Sequence, residues 1–292
     1  SLVMGVLTLF LGAVALLGDW RNDYQHPGFF YFNFLWLLAG ILGVFFALDL
    51  ILLYFFWEVM LVPMYFILIG WGHERRRYAG TKFFLFTQLS GLAMLVAIAG
   101  LYFIHGRATG DYSFDYGVLL GTSLSGRTAF WLMAGFLIAF VVKLPIVPFH
   151  SWLPDAYAEA PNSGTVILAA LMSKTGAYGI LRFVIPLFPE AAHRFGFWGM
   201  VLGVIGILYG AKMAYAQSDL KRLIAYSSLS HMGFIMVGAF SFSVLAYQGV
   251  VMQMVAHALS IAGLFLLSEA IFSRIGSFDM NRMGRFWETM PR

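Results

Sequence analysis

Glu58, Lys143, Lys174, His231 and His257 lie far apart in a 292-residue chain, and each falls inside a different long apolar run. A charged side chain at the centre of a bilayer costs roughly 2.5–3.5 kcal/mol on insertion scales, so such residues persist where they line a polar interior. Carboxylate, ammonium and imidazole groups pass protons to one another through hydrogen bonds, directly or by way of water. The chemistry these five residues point to is proton transfer, with no redox step in the chain itself. One buried histidine is ordinarily a hydrogen-bonded helix contact, and one lysine can snorkel to the interface. Lys174 has no such escape, since about 18 Å of helix rise separates it from either end of its run. Five titratable groups in five runs, with Lys143 alone displaced from mid-depth, are hard to explain as packing.

The neighbours extend the pattern. Tyr54, Glu58 and Tyr65 share a helical face, as do Lys174 and Tyr178, and Gln253, His257 and Ser260, by helical spacing. Tyr226, Ser227, Ser228 and Ser230 crowd the turn before His231. Tyr178, Ser227, Ser230 and Gln253 are read as polar support for a hydrated seam. Pro145 and Pro148 follow Lys143 one turn apart. Each lacks an N–H, so the carbonyls of Val141 and Leu144 lose their helical partners. A helix end is one reading; a discontinuous helix, of the kind that exposes carbonyls along ion paths, is the other and the favoured one. A lysine held between Glu58 and a second cation would change protonation when that pairing changes.

The elements that must position these groups are membrane helices. The chain is 61% hydrophobic and 11% charged, against about 25% charged in a soluble domain. Nine spans are expected, at 2–18, 28–48, 50–70, 81–104, 128–149, 163–186, 196–216, 222–240 and 247–272. The runs are too long for barrel strands and do not alternate. Twelve Lys and Arg residues, among them Arg21, Arg75, Arg76, Arg77, Arg285 and Arg292, fall on one side, against Arg107, Arg127, Arg182 and Arg194 on the other. That asymmetry makes loop 71–80 cytoplasmic. It also accounts for the net charge of +4 without nucleic acid. Cysteine is absent, which removes disulfides and thiolate metal sites. No signal peptide is visible, and a start at Ser1 without an initiator Met reads as a fragment.

Three segments bear a family likeness. They run from Phe55 through Trp57, Glu58 and Pro63 to Phe66; from Lys143 through Pro145, Pro148, His150 and Trp152 to Ala156; and from Ser218 through Lys221, Arg222, Tyr226 and His231 to Gly233. In these the chain resembles the antiporter-like M subunits of bacterial respiratory complex I (NADH-quinone oxidoreductase), relatives of Mrp-type antiporter subunits. The resemblance covers essentially the whole chain. It implies an all-α transmembrane bundle of inverted five-helix repeats. Residues 28–186 would form the first repeat and 196–272 a truncated second, after a leading helix at 2–18 and before a cytoplasmic segment at 273–292, all in a single transmembrane domain. Glu58 would match the glutamate that pairs with the pumping lysine, Lys143 that lysine, Lys174 the central lysine, and His231 and His257 the connecting polar axis. It further implies a bacterial inner-membrane location and partners among the other membrane subunits, including neighbouring antiporter-like ones, besides the lipid bilayer. NADH, FMN, iron–sulfur clusters and quinone would belong to other subunits, with no cofactor in this chain. Family members begin earlier and end later, and the second broken helix falls outside this sequence. Glu269 has no counterpart expected in the family and is read as a helix-end charge paired with Arg274. Competing readings are a Mrp-type Na+/H+ antiporter or membrane-bound hydrogenase subunit, a cytochrome with His231 and His257 as haem ligands, and a passive scaffold that leaves the buried charge unexplained.

Overall fold

The computed structural model describes residues 1–20 and 22–284. Arg21, Arg285 and Arg292 therefore lie outside the described residues. In a bilayer every backbone polar group needs an internal partner, and long apolar runs meet that need as helices. The helices are α1 (Leu2–Gly18), α2 (Pro27–Phe46), α3 (Leu50–Val59), α4 (Leu61–Trp71), α5 (Arg76–Thr109), α6 (Tyr116–Leu119) and α7 (Gly126–Lys143). They continue with α8 (Trp152–Glu159), α9 (Asn162–Ile167), α10 (Ser173–Gly179), α11 (Ile185–Leu187), α12 (Pro189–Tyr215), α13 (Leu220–Ala239) and α14 (Val244–Ile275). Two π-helical segments, Leu168–Met172 and Ile180–Val184, join α9, α10 and α11 into one rod.

Counting that rod and the α3–α4 pair as single units, and setting aside the short helices α6 and α8, gives the nine rods expected among the described residues. Seven of them are long and apolar enough to span a membrane unaided. Of the other two, α1 is slightly short, and α13 is made polar by Lys221, Arg222 and its serines. The α3–α4 junction at Met60 lies just ahead of Pro63, which has no N–H to offer the Val59 carbonyl. Asp49, Asp115, Ser125 and Asp219 cap helix starts by accepting from backbone N–H groups. Gly110 and Gly276 take the left-handed backbone that ends α5 and α14.

The loops separate cleanly into two layers. Asp19 accepts from the Ser163 N–H, the Glu159 carbonyl from the His73 N–H, and the Phe278 carbonyl from the Leu220 N–H. At the opposite end Leu50 and Tyr116 exchange backbone bonds with Phe114 and Leu48. The first set contains every loop expected on the positively charged side.

The expected break after Lys143 is present, and α7 stops there before a turn that leads into α8. The fate of one freed carbonyl differs from expectation. Val141 is not left open, because the Ile146 N–H reaches it at 2.9 Å in an i+5 bond. The Val142 carbonyl accepts from the Trp152 indole at 3.0 Å. A chain turning back beside its own helix end can re-satisfy what the prolines release.

Candidate functional site

The α9–α11 rod is almost wholly enclosed, and Lys174 sits in its middle at 0% exposure. A helical side chain leans toward the N-terminus, and the preceding π segment, with its wider turn, leaves the Ala169 carbonyl within reach. Lys174 Nζ donates to that carbonyl at 2.7 Å and to Ser173 Oγ at 3.2 Å. Its third neighbour is His257 Nδ1 on α14, also at 2.7 Å. A proton between those two nitrogens can reside on either. Tyr178, expected beside Lys174, points away and donates to the Phe45 carbonyl at 3.0 Å. Simple i, i+4 spacing fails here because the lysine reaches backward across a π turn.

From His257 the row continues to His231 on α13, ring to ring at 5.2 Å, and on to Gln253, whose Nε2 lies 3.2 Å from His231 Nδ1. His231 departs from expectation by being exposed on the flank of α13 rather than pointing inward. Ser230 also turns away and donates to the Ile207 carbonyl on α12 at 2.9 Å, and Ser227 is half-buried beside it. The inward serine is Ser228, one step off in a helix whose buried strip runs through Lys221, Ile224, Ala225 and Ser228. The hydroxyl of buried Tyr157 lies beside the side chains of Ser228 and Ser173. Tyr157 was not singled out from the sequence, and Ser228 only as one of the serine run of α13; the signal for Tyr157 was the polar start of α8. The two histidine rings lie 5.2 Å apart and Lys174 engages His257 Nδ1, an arrangement that does not favour the haem reading. Among the described residues no His, Asp or Glu cluster is arranged to hold a metal.

Lys143 has different surroundings. It is 1% exposed, with Nζ 5.0 Å from the Trp57 ring and 5.8 Å from the Phe83 ring, and without a hydrogen-bond partner. The Glu58 carboxyl is half-buried beside Tyr54 and Gln88, and its Oε1 is likewise unpartnered. The two face a common region without direct ion-pair contact. Trp57, adjacent to Glu58 in the chain, presents its ring to the ammonium instead. Gly91 on α5 makes room for the carboxyl, since a Cβ there would collide with Glu58 Oε1.

Two contacts fix the break relative to the lysines. Gly176, two residues past Lys174, lies against the Phe140 carbonyl and the Leu144 amide, where no Cβ fits. Asp155 on α8 accepts from Lys82 of α5 at 2.9 Å and from Arg222 of α13 at 3.0 Å. In the turn, burial holds the His150 imidazole below its ordinary range. Glu269 corrects the sequence reading outright. It pairs with Lys221 at 3.7 Å, whereas Arg274 donates to the Ala270 carbonyl of its own helix.

Residues 47–292 match the family described as NADH:quinone oxidoreductase/Mrp antiporter, transmembrane. The chain is 54% identical to NADH-quinone oxidoreductase subunit M of Pseudomonas aeruginosa and 53% identical to that of Escherichia coli K12. These alignments take in 100% and 99% of this chain and 58% of each relative, so the chain spans little more than half their length. Its fold superposes on a chain of respiratory complex I from Thermus thermophilus with a TM-score of 0.86 at 33% identity, covering 99% of this chain and 59% of that one. A chain of the Mrp complex from Dietzia sp. gives a TM-score of 0.85 at 27% identity, with 99% and 32% covered. This multi-pass membrane protein, with its broken helix and its buried lysine row, belongs to the NADH:quinone oxidoreductase/Mrp antiporter family.

Proposed function

We propose that the chain moves protons across a membrane as part of an M subunit of NADH-quinone oxidoreductase, driven by electron transfer in other subunits. The observation that carries this reading is the 2.7 Å contact between Lys174 Nζ and His257 Nδ1 in the enclosed centre of the bundle. An ammonium and an imidazole that share a proton form a relay step. His231 offers the next acceptor toward the exposed flank of α13, where the Gln253 amide donates to its Nδ1. Lys143, at the broken helix, is the second exchanging amine, and the Glu58 carboxylate favours its charged state without touching it. A bridging group or a small rotation would couple the pair. NADH, FMN, iron–sulfur clusters and quinone act in the partner subunits on this reading, and the membrane is the bacterial inner membrane with loop 71–80 in the cytoplasm.

The fold likeness to a Mrp complex supports a second reading, a cation/proton antiporter subunit. The higher identity to M subunits favours the first. The test is the full-length complex in sealed vesicles, scored for NADH-driven acidification in the presence and absence of sodium. The wild-type chain should form a proton gradient without sodium, and Lys174→Met should form none while still assembling. A normal gradient in Lys174→Met would defeat the relay.

A further inference from the structure

Outside the row there is a second buried ionisable cluster, on the positively charged side. Lys221, in the first turn of α13, is 1% exposed. Its Nζ lies 3.2 Å from His73 Nε2 in the α4–α5 turn, 3.2 Å from the Ala160 carbonyl after α8, 3.7 Å from Glu269 Oε2 on α14, and 4.7 Å from the Phe278 ring centre. Four separate segments converge on one ammonium. The charged groups around it are Glu269, Asp219 at its own helix cap, and Glu159 at the end of α8. Asp19, after α1, faces Glu269 from the other side. Burial first, and then the Lys221 charge, push the His73 imidazole down to about 4, so His73 is neutral and accepts from the ammonium.

We infer that Lys221 and Glu269, with His73 accepting from the Lys221 ammonium, form a proton-loading pair that takes protons from the positively charged side and passes them toward Lys174. The inference rests on the proton-carrying reading above and adds residues that reading does not use.

Geometry supplies the direction of transfer. Lys221 and Ser228 lie on the same buried strip of α13, about 10 Å apart along its axis. The Ala160 carbonyl, which accepts from Lys221, also accepts from Thr165 Oγ1 at 2.9 Å. Beyond it stand the buried, unpartnered hydroxyls of Tyr157 and Ser228, then Ser173, then Lys174 Nζ. Glu269 is the outward member, with 22% of its side chain exposed.

The cycle balances in protons. A proton from the outer side neutralises the Glu269 carboxylate. The buried Lys221 ammonium, its nearest counter-charge gone, then favours its neutral form. Its proton moves along the hydroxyls to a neutral Lys174, and the Glu269 proton reloads Lys221. One proton arrives at Glu269 and one leaves at Lys174, and the pair ends as it began.

The test uses the full-length complex in sealed vesicles with this side outward, reading the initial rate of NADH-driven proton uptake against external pH. The variants are Glu269→Gln, the double substitution Lys221→Met with Glu269→Gln, and Lys174→Met. The double variant removes both charges together, so no buried charge is stranded and assembly is retained. Uptake should fall roughly ten- to hundredfold in Glu269→Gln and in the double variant, the scale of losing a positioned proton carrier. The wild-type dependence on external pH should flatten in both. Should the double variant fail to assemble, Glu269→Gln alone decides. Wild-type uptake with a wild-type pH profile in whichever variants assemble overturns the proposal and leaves the Lys174 relay standing. Undiminished uptake in Lys174→Met would instead overturn the relay, which separates the two failures.

Discussion

Lys143 and Lys174 are equally remote from the surface, at 1% and 0% exposure, yet their ammonium groups keep opposite company. Lys174 is held by a carbonyl, a hydroxyl and an imidazole. Lys143 faces two aromatic rings and has no hydrogen-bond partner. The first lysine sits in a continuous rod whose π turns bring a carbonyl to it. The second ends a helix whose Val141 and Val142 carbonyls have been claimed by Ile146 and Trp152. A buried cation with partners is set up for exchange between fixed neighbours. One without them is an imbalance that responds to a distant carboxylate, and the cation–π contacts moderate its cost without removing it.

The sharpest way to break this comparison is to replace each lysine by Met in the full-length complex. Lys174→Met leaves His257 Nδ1 buried and unpartnered, so thermal stability should fall by about 1–3 kcal/mol. Lys143→Met removes an unpartnered charge and should leave stability unchanged or higher. Equal losses in a thermal inactivation assay would show that the two environments do not differ as described.

Gly176→Ala acts on the seam between the two sites. Its Cβ would meet the Phe140 carbonyl and the Leu144 amide, and backbone cannot swing aside as a side chain does. A cost of about 1–3 kcal/mol is expected, together with slower proton translocation as α10 moves off α7. An alanine variant with wild-type stability and rate would remove this glycine from the account. Glu58→Gln tests action at a distance. Translocation should drop about tenfold, or 1.4 kcal/mol on the barrier, with assembly intact, because only the charge is lost. The smallest effect belongs to Asp155→Asn. Its pairs with Lys82 and Arg222 are part-exposed, so each contributes under about 1 kcal/mol. A collapse of assembly in that variant would mean that α8 depends on Asp155 far more than these contacts imply.

The rods, their two layers of loops and the break at Pro145–Pro148 were legible in the sequence, because each follows from apolar run length, charge bias or proline chemistry. Partners within the row were not. Lys174 and Tyr178 stay one ordinary turn apart within α10, but the lysine reaches back across the π segment before it while Tyr178 reaches the Phe45 carbonyl, and no residue type announces a π turn. Ser228 and Ser230 are indistinguishable by composition and differ only in which neighbour their side of α13 meets. Glu269 looked like a helix-end charge because Arg274 is close in sequence, while its true partner Lys221 comes from the start of another helix. The outward turn of His231 has the same origin: a helical position fixes a direction, but the packing of α13 on α14 decides what that direction faces.

The central claim is that Lys174 exchanges its proton rather than merely supplying positive charge. Lys174→Arg separates the two, since guanidinium keeps its charge and does not release its proton at accessible pH. Measured as the NADH-driven proton gradient of the full-length complex in sealed vesicles, Lys174→Arg should be as inactive as Lys174→Met. A gradient restored to wild-type height by arginine would show that charge alone suffices, and would contradict the relay.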